Sequence, residues 1–406
     1  MSDGERVRLV VVPGLDRRAT ELVGDRLLRA GPGGVVVHHD LRGLGEGTVR
    51  RRVRTTSEES TEILELDHGC VSCTLREDVL PLLVRLAGRP GTRRIVLLLD
   101  PAVEPESVCW ALGTVAVGEV AVTDVLDIEA VLAVLDEGTW LADATGEACM
   151  EELADRGLDV IPDDDRTLAQ VAIAQVAFAD AVLVTGRADY GWAGARLAAV
   201  LDRLVPGVPR APLGTGDELL GLLSRIPASA RRGVVEDAHA PLLRGDPPLE
   251  LRHGVALTLF TDRRPFHPGR LYEAIDALLE GVVHTRGRAW LASQPDVALW
   301  LESAGGGLRV GHAGGWLATA DDEAWDQVDA QRRAKAALDW HPRFGDRVQE
   351  LAILSYEADP DDITAALRAA LLTDAELAEG ESAWRHYPDP FGEWRAEPVT
   401  DRKDSA

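Results

Sequence analysis

His68-Gly69-Cys70-Val71-Ser72-Cys73-Thr74-Leu75-Arg76-Glu77-Asp78 joins an alternating run, Glu62 to Leu66, to an apolar-periodic run. The first reads as a strand and the second as a helix, so the stretch is a strand-to-helix turn of an α/β sheet. Gly69 supplies backbone freedom for a tight exit from the strand. Thr74 and Glu77 have the Ser/Thr-x-x-Glu spacing of a capping box, which predicts a helix from Leu75. Cys73 would then sit beside the helix start, where the dipole favours thiolate over thiol. Two cysteines three residues apart can turn both sulfurs toward one metal ion.

Working outward, the same unit recurs. Val7 to Val12 is a short apolar run that reads as a buried first strand. Pro13-Gly14 breaks it, and a helix follows over Arg17 to Ala30 with Leu22, Val23, Leu27 and Ala30 on one face. Gly34 to Leu41 reads as a second strand ending in His38-His39-Asp40, with Glu46 in a Gly-rich loop beyond it. Adjacent strand residues point to opposite faces, so at most one of His38 and His39 faces the cysteines. Arg50 to Arg54 reads as a solvated basic stripe. The helix after the cysteines should run to Ala87, kinked at Pro81 and stopped by Gly88. Arg94 to Leu99 is almost wholly apolar, as in the centre of a parallel sheet. Further strands are expected at Glu119 to Leu126 and Ala181 to Thr185, with an apolar helix over Leu168 to Ala179.

Composition sets the bounds. The chain has 406 residues, 46% hydrophobic, and a formal charge of −25. That length predicts two or three domains. No apolar run reaches a membrane-spanning length and no secretory pattern opens the chain. The acidic balance argues against nucleic acid and anionic membrane as partners and suits a cytoplasmic protein. Four cysteines, Cys70, Cys73, Cys109 and Cys149, are too few and uneven for a disulfide framework, which favours a reducing compartment. Cys109 and Cys149 stand alone in apolar context and read as core.

The opening stretch resembles the Gly-Cys-x-Cys-Cys-Thr-Leu-Arg-Glu-Asp signature of the CobW-like metal-handling GTPases, a family that includes zinc chaperones. Cys70 and Cys73 fall on the first and third cysteines of that signature and Ser72 on the second. The resemblance implies a Walker A loop after the first strand. The aligned residues are Gly14-Leu15-Asp16-Arg17-Arg18-Ala19-Thr20-Glu21, of which only Gly14 keeps the pattern. The loop needs glycines so that amides wrap phosphate, and a lysine to reach the terminal one. Lysine occurs only at Lys335 and Lys403, and Asp16 and Glu21 would repel phosphate. Gly14, Arg17, Arg18 and Thr20 are the positions left for a loose phosphate contact. The magnesium-side motif is matched only over Ala102 to Pro105, with Glu104 the clearest part, and Asp100-Pro101 replace its Thr and Gly. Gly186-Arg187-Ala188-Asp189 stands where the family has Asn-Lys-x-Asp for guanine, so Asp189 alone keeps its carboxylate.

The second half resembles the family's C-terminal domain through Arg264-Pro265-Phe266-His267-Pro268, Gly287-x-x-Trp290-Leu291-Ala292, Arg343-x-Gly345-Asp346-Arg347-x-Gln349-Glu350-Leu351 and Leu371-Leu372-Thr373-Asp374. Strands are expected at Val255 to Thr261, Val282 to Ser293 and Gln349 to Tyr356. Helices are expected at Gly269 to Leu279, Glu323 to Leu338 and Pro360 to Leu372. The expected organisation is a degenerate CobW-like GTPase domain over 1–226, a linker over 227–250, a CobW C-terminal domain over 251–394 and a polar tail over 395–406. The fold class is α/β, a mostly parallel sheet of a P-loop-like domain followed by a smaller α+β domain.

The resemblance implies a metallochaperone that holds zinc at Cys70 and Cys73 and passes it to a client metalloprotein. His68, His39 and Glu46 are the candidate further ligands, since imidazole and carboxylate both bind zinc. Seven of ten tryptophans follow Leu251, which suggests a client surface on the C-terminal domain. Loss of the lysine and phosphate-binding glycines argues against GTP hydrolysis and against firm binding of GTP with magnesium. A nucleotide-independent metal- or client-binding protein on the same scaffold is the alternative. A thiol redox pair is a third reading, but the context is not that of a thioredoxin.

Overall fold

Six parallel strands carry the first half of the chain. They are β1 (Val7–Val12), β2 (Gly34–Asp40), β5 (Arg94–Leu98), β8 (Leu126–Asp136), β9 (Ala181–Thr185) and β10 (Arg210–Pro212). Two further strands extend this side: β3 (Thr48–Arg54) pairs antiparallel with β2, and β4 (Glu59–Glu65) antiparallel with β3. The sheet order is β10-β9-β8-β1-β5-β2-β3-β4, which leaves β4 as an open edge. A small hairpin, β6 (Ala116–Val117) with β7 (Val120–Ala121), stands apart. The computed structural model describes residues 6–66, 68–158, 161–186 and 191–392.

The central strands are long apolar runs because both sheet faces are covered. Successive residues of β1 alternate between two cores: Leu9 and Val11 pack with Leu83 and Leu97 on one face, Val10 and Val12 with Val23 and Leu98 on the other. Each such side chain, fully buried, contributes about 1.5–3 kcal/mol. Helix α1 (Arg17–Arg29) buries Ala19, Thr20, Val23, Gly24, Leu27 and Leu28. The sequence places Leu22 on that face; it is instead among the exposed residues. The strand expected at Glu119 to Leu126 is also displaced. Gly118, with φ 61°, closes the small hairpin, Val122–Val125 make a helical turn, and the sheet strand is β8.

The chain divides into two compact units, one of residues 1–197 and 207–235, the other of 198–206 and 236–406. Residues 227–250 hold turns and bends without helix or strand. The second unit is an antiparallel sheet in the order β11-β15-β12-β13-β14. Its strands are β11 (Ala256–Asp262), β12 (Val282–Ala289), β13 (Val297–Ala304), β14 (Gly307–Gly315) and β15 (Gln349–Ser355). Gly305 and Gly306, both at positive φ, turn the β13–β14 hairpin. The helix expected over Glu323 to Leu338 is two, Asp322–Gln327 and Ala330–Leu338, the second capped by Asp329.

The residues that carry the second half's resemblance knit this unit's core. The Gln349 side chain accepts from the Trp290 amide at 2.8 Å and donates to the carbonyls of Trp290 at 2.8 Å and Arg264 at 2.9 Å. Phe266 bridges Leu291 and Leu371. Asp346 accepts the amides of Leu317 and Ala318 at 3.0 and 2.8 Å. Trp290, Trp316 and Trp384 are core residues; Trp340 is 44% exposed, and Leu338, two residues earlier in the chain, is 88% exposed.

Candidate functional site

The cysteine turn is built differently from its sequence reading. The helix begins at Val71, four residues early, because Cys70 is itself the cap: extended at φ −136°, ψ 151°, it accepts the Cys73 amide on its sulfur at 3.1 Å. Thr74 is buried within the turn and donates its hydroxyl to the Cys70 carbonyl at 3.1 Å, while Glu77 is exposed, so no capping box forms. Cys73 accordingly lies inside the first turn, and Cys70 is the residue at the helix end. The helix is α2 (Val71–Thr74), then a π turn over Leu75–Val79, then α3 (Leu80–Ala87). The π turn is where the continuous helix absorbs Pro81: the Leu80 amide reaches the Leu75 carbonyl five residues back, and the proline ring, with no N–H to place, follows directly. Gly69 is needed for close approach rather than for unusual φ, since a Cβ there would run into the Leu44 carbonyl oxygen.

The Cys70 and Cys73 sulfurs face each other and are paired as a disulfide, with Cα atoms 5.3 Å apart. Both residues are half-buried; Ser72 between them is exposed, its hydroxyl 3.6 Å from the Cys70 sulfur.

His39 and His38 part company as strand geometry requires. His39 points toward the helix that follows the cysteines, and its Nε2 lies 2.8 Å from Asp78 Oδ2. Arg51 holds the other Asp78 oxygen and reaches on to Glu62. Burial works against the Asp78 charge, but the His39 and Arg51 contacts outweigh it and hold the carboxyl below its ordinary range. His39 Nδ1 is buried and without a hydrogen-bond partner. It lines a small apolar cavity with Val71, Thr74 and Leu75, under the cysteine turn. His38 is buried as well, and burial pulls its pKa down to about 4. Glu46 is exposed in a one-turn 3-10 helix, and His68 is exposed beside Gly69. Among the described residues, no three His, Cys, Asp or Glu side chains converge so as to hold a metal ion.

Three of the four arginines of β3 form pairs rather than a solvated stripe, and Arg50 is exposed. Arg51 bonds Asp78 and Glu62, Arg52 bonds Glu21, and Arg54 bonds Asp25. Glu21 is thus committed to β3.

At the start of α1, Asp16 is the helix cap. Its carboxylate accepts the amides of Arg18 at 2.8 Å and Ala19 at 3.3 Å, so the helix end that would cradle phosphate is already occupied by an anion. Gly14 lies against β8, where a Cβ would meet the Val134 carbonyl oxygen at 2.8 Å. Thr20 is buried and donates back to the Arg17 carbonyl at 3.0 Å. Arg17 binds Asp100 at 2.6 and 3.3 Å and the Gly157 carbonyl at 2.8 Å, with Asp40 at 3.6 Å. Asp100 also accepts the Leu41 amide at 3.1 Å. Burial nonetheless raises its carboxyl above the ordinary value, against the pull of Arg17. Burial likewise opposes the Asp40 charge, but the Arg42 fork holds that carboxyl down at about 2.

Glu104 is the residue before the Pro105–Thr114 helix and is bound by Arg166 at 2.7 Å. Arg166 also takes the Ala102 carbonyl, and Gln175 the Pro101 carbonyl, so the loop after β5 is held from outside. Asp189 lies outside the described residues. Beside Arg17 and Arg18 a cavity of about 950 Å³ opens at the C-terminal ends of β1 and β8, lined by four arginines (Arg17, Arg18, Arg42, Arg156) and four aspartates (Asp16, Asp136, Asp143, Asp155). This is where ligands bind on open parallel sheets. Arg166 had no signal in the sequence, because its partner Glu104 is remote in the chain; Asp78 lay inside the quoted cysteine stretch and Arg51 inside the Arg50 to Arg54 run, but only folding brings the two together. Asp16 did have one, its position directly before the helix.

A parallel sheet with a helix start at the tip of β1, followed by an antiparallel α+β unit, defines a P-loop-type protein with a small second domain. Residues 45–205 match the family model described as CobW/HypB/UreG, nucleotide-binding domain, and residues 255–371 match the cobalamin synthesis protein cobW C-terminal domain. Zinc chaperone Rv0106 of Mycobacterium tuberculosis is 41% identical over 411 residues, covering 99% of this chain and 96% of that relative. Zinc-regulated GTPase metalloprotein activator 1 of Dictyostelium discoideum is 27% identical over 360 residues, covering 84% of this chain and 72% of its own length. The crystal structure of Zn(II)-bound YjiA GTPase from E. coli is similar with 14% identity and a TM-score of 0.37, covering 91% of this chain and 100% of that one. The chain belongs to the CobW/HypB/UreG family, with a CobW C-terminal domain. Among the described residues no helix is long and apolar enough to cross a membrane.

Proposed function

We propose that this chain is a zinc metallochaperone whose cargo is gripped by Cys70 and Cys73 and passed to a client metalloprotein. The observation that carries this reading is the convergence of the two sulfurs at one helix start, 5.3 Å apart at Cα. In the reduced protein two thiolates reach one ion, and the Cys73 amide stabilises charge on the Cys70 sulfur. His39 is the third ligand of this reading; it does not converge with the two sulfurs in this structure and would have to be drawn toward them by the ion. Its Nε2 is turned to Asp78, which leaves Nδ1 buried and unpartnered under the turn, the arrangement by which a carboxylate behind an imidazole orients it toward a metal. Glu46 and His68, both exposed on the loops that flank the turn, complete the site as the cargo arrives or leaves. An incompletely filled shell suits transfer by ligand exchange. The names of the two curated relatives support the same cargo. The client docks through the C-terminal domain, where Leu338 and Trp340 are both exposed, and the work is done in the reducing cytoplasm.

Nucleotide plays no part in this reading. GTP with magnesium does not fit the residues present, because Asp16 fills the helix end, Arg17 is committed to Asp100, and Pro101 has no amide to offer. Equilibrium dialysis of the reduced protein against zinc is the test. One ion per chain is expected, lost in the Cys70→Ser, Cys73→Ser double variant; unchanged stoichiometry removes the proposal. A nucleotide-independent client-binding protein without metal is then the reading that remains, favoured by the same Asp16 and Arg17 contacts.

A further inference from the structure

We infer that Arg17 is a built-in tether that permanently ties together the segments a bound nucleotide would otherwise bridge, and so holds the cysteine turn in one state. Three chain segments meet on its guanidinium. Asp100, just past the end of β5, takes two bonds at 2.6 and 3.3 Å; Asp40, at the end of β2, lies at 3.6 Å; the Gly157 carbonyl takes a third bond at 2.8 Å. Asp100 extends the link by accepting the amides of Leu41 at 3.1 Å and Ala102 at 3.3 Å.

From there the connection runs to the cysteines in short steps. The Leu44 amide bonds the Leu41 carbonyl at 2.8 Å, and the Leu66 amide bonds the Gly47 carbonyl at 2.9 Å. Gly69 is pressed on the Leu44 carbonyl, and Cys70 is the next residue. A guanidinium with a fixed fork is suited to this task, since it holds several acceptors at once without needing a bound ion. The cavity wall beside it carries equal numbers of arginines and aspartates, with Arg17, Arg42 and Arg156 each already on a carboxylate. It offers no surplus positive charge to a polyphosphate.

Hydrogen–deuterium exchange on the full, reduced, metal-free chain tests the inference, with GTP or GDP and magnesium as the probes. In the natural protein, nucleotide should leave protection over residues 38–47, 69–80 and 99–104 unchanged. Arg17→Met should raise exchange there about tenfold while the five-stranded unit stays as it was. Nucleotide-dependent protection of those segments, or a folded Arg17→Met chain that exchanges like the natural one, overturns the tether. If Arg17→Met does not fold, Arg17→Lys keeps one charge for Asp100 but lacks the fork that also reaches Asp40 and the Gly157 carbonyl; exchange should then rise over residues 38–47, and no rise overturns the inference. No metal enters these readouts, so they fail or succeed independently of the zinc proposal.

Discussion

The Cys70 sulfur accepts the backbone amide of Cys73 at 3.1 Å, so the atom that caps the helix is the one the proposed function assigns to zinc in the reduced chain. The two duties separate by substitution. Cys70→Ser keeps a good cap and loses a thiolate, whereas Cys70→Ala loses both. Zinc competition with a chromogenic chelator should show weak binding in both variants. With every chain kept reduced, thermal unfolding should show only the alanine variant destabilised, by about 1 kcal/mol. Equal melting temperatures would mean that the sulfur does not cap.

Gly69→Ala puts a methyl group against the Leu44 carbonyl oxygen, a backbone atom that cannot rotate away. The turn must shift. The expected cost is about 1–3 kcal/mol by urea denaturation, with weaker zinc retention in the same protein. Gly31→Ala is the control, because nothing lies near a Cβ there and its φ is not positive.

His38 gives a pH signature. Burial lowers its folded pKa from 6.5 to about 4, so the unfolded chain binds the extra proton first as pH falls. Its contribution is fully present above 6.5 and is lost progressively between 6.5 and about 4, up to about 3 kcal/mol. Urea midpoints measured through that window should fall less steeply for His38→Asn than for the natural chain. The Asp40 carboxyl, held at about 2, is lost in a lower window and does not confuse the reading.

Gln349→Ala should be among the most damaging changes in the second unit. It leaves the buried Trp290 amide and the part-buried Arg264 carbonyl without their partner, while the Trp290 carbonyl keeps only the Phe266 amide. A loss of about 3 kcal/mol is expected from the unpaired groups, read by the unfolding of the five-stranded unit. Zinc binding at Cys70 and Cys73 should not change.

The regular elements were legible where periodicity was undisturbed. β1, α1, β9 and β15 lie within a residue or two of where the apolar pattern puts them, because burial on a sheet or helix face leaves its period in the sequence. β8 was misplaced because Asp127 and Glu129 interrupt its first half, drawing attention to the alternating residues before it. The helix start at Val71 was missed because cysteine is not one of the usual capping residues, and Thr74 with Glu77 offered a conventional signal four residues on. At the nucleotide loop, the sequence disclosed what is gone but not what replaced it. Arg17 and Asp100 are 83 residues apart, and only folding brings them together. The same holds for Arg166, which reaches Glu104 across 62 residues.

The rim of the larger sheet has a final consequence. β4 ends one margin with Glu59, Glu62 and Glu65 all exposed, directly ahead of the cysteines. Two molecules approaching rim to rim would bring Glu59 and Glu65 of each together at the two ends of that strand, Glu62 being paired with Arg51, which discourages fibre-like stacking. Crowding by its own kind is thereby suppressed at the border that leads into the thiols.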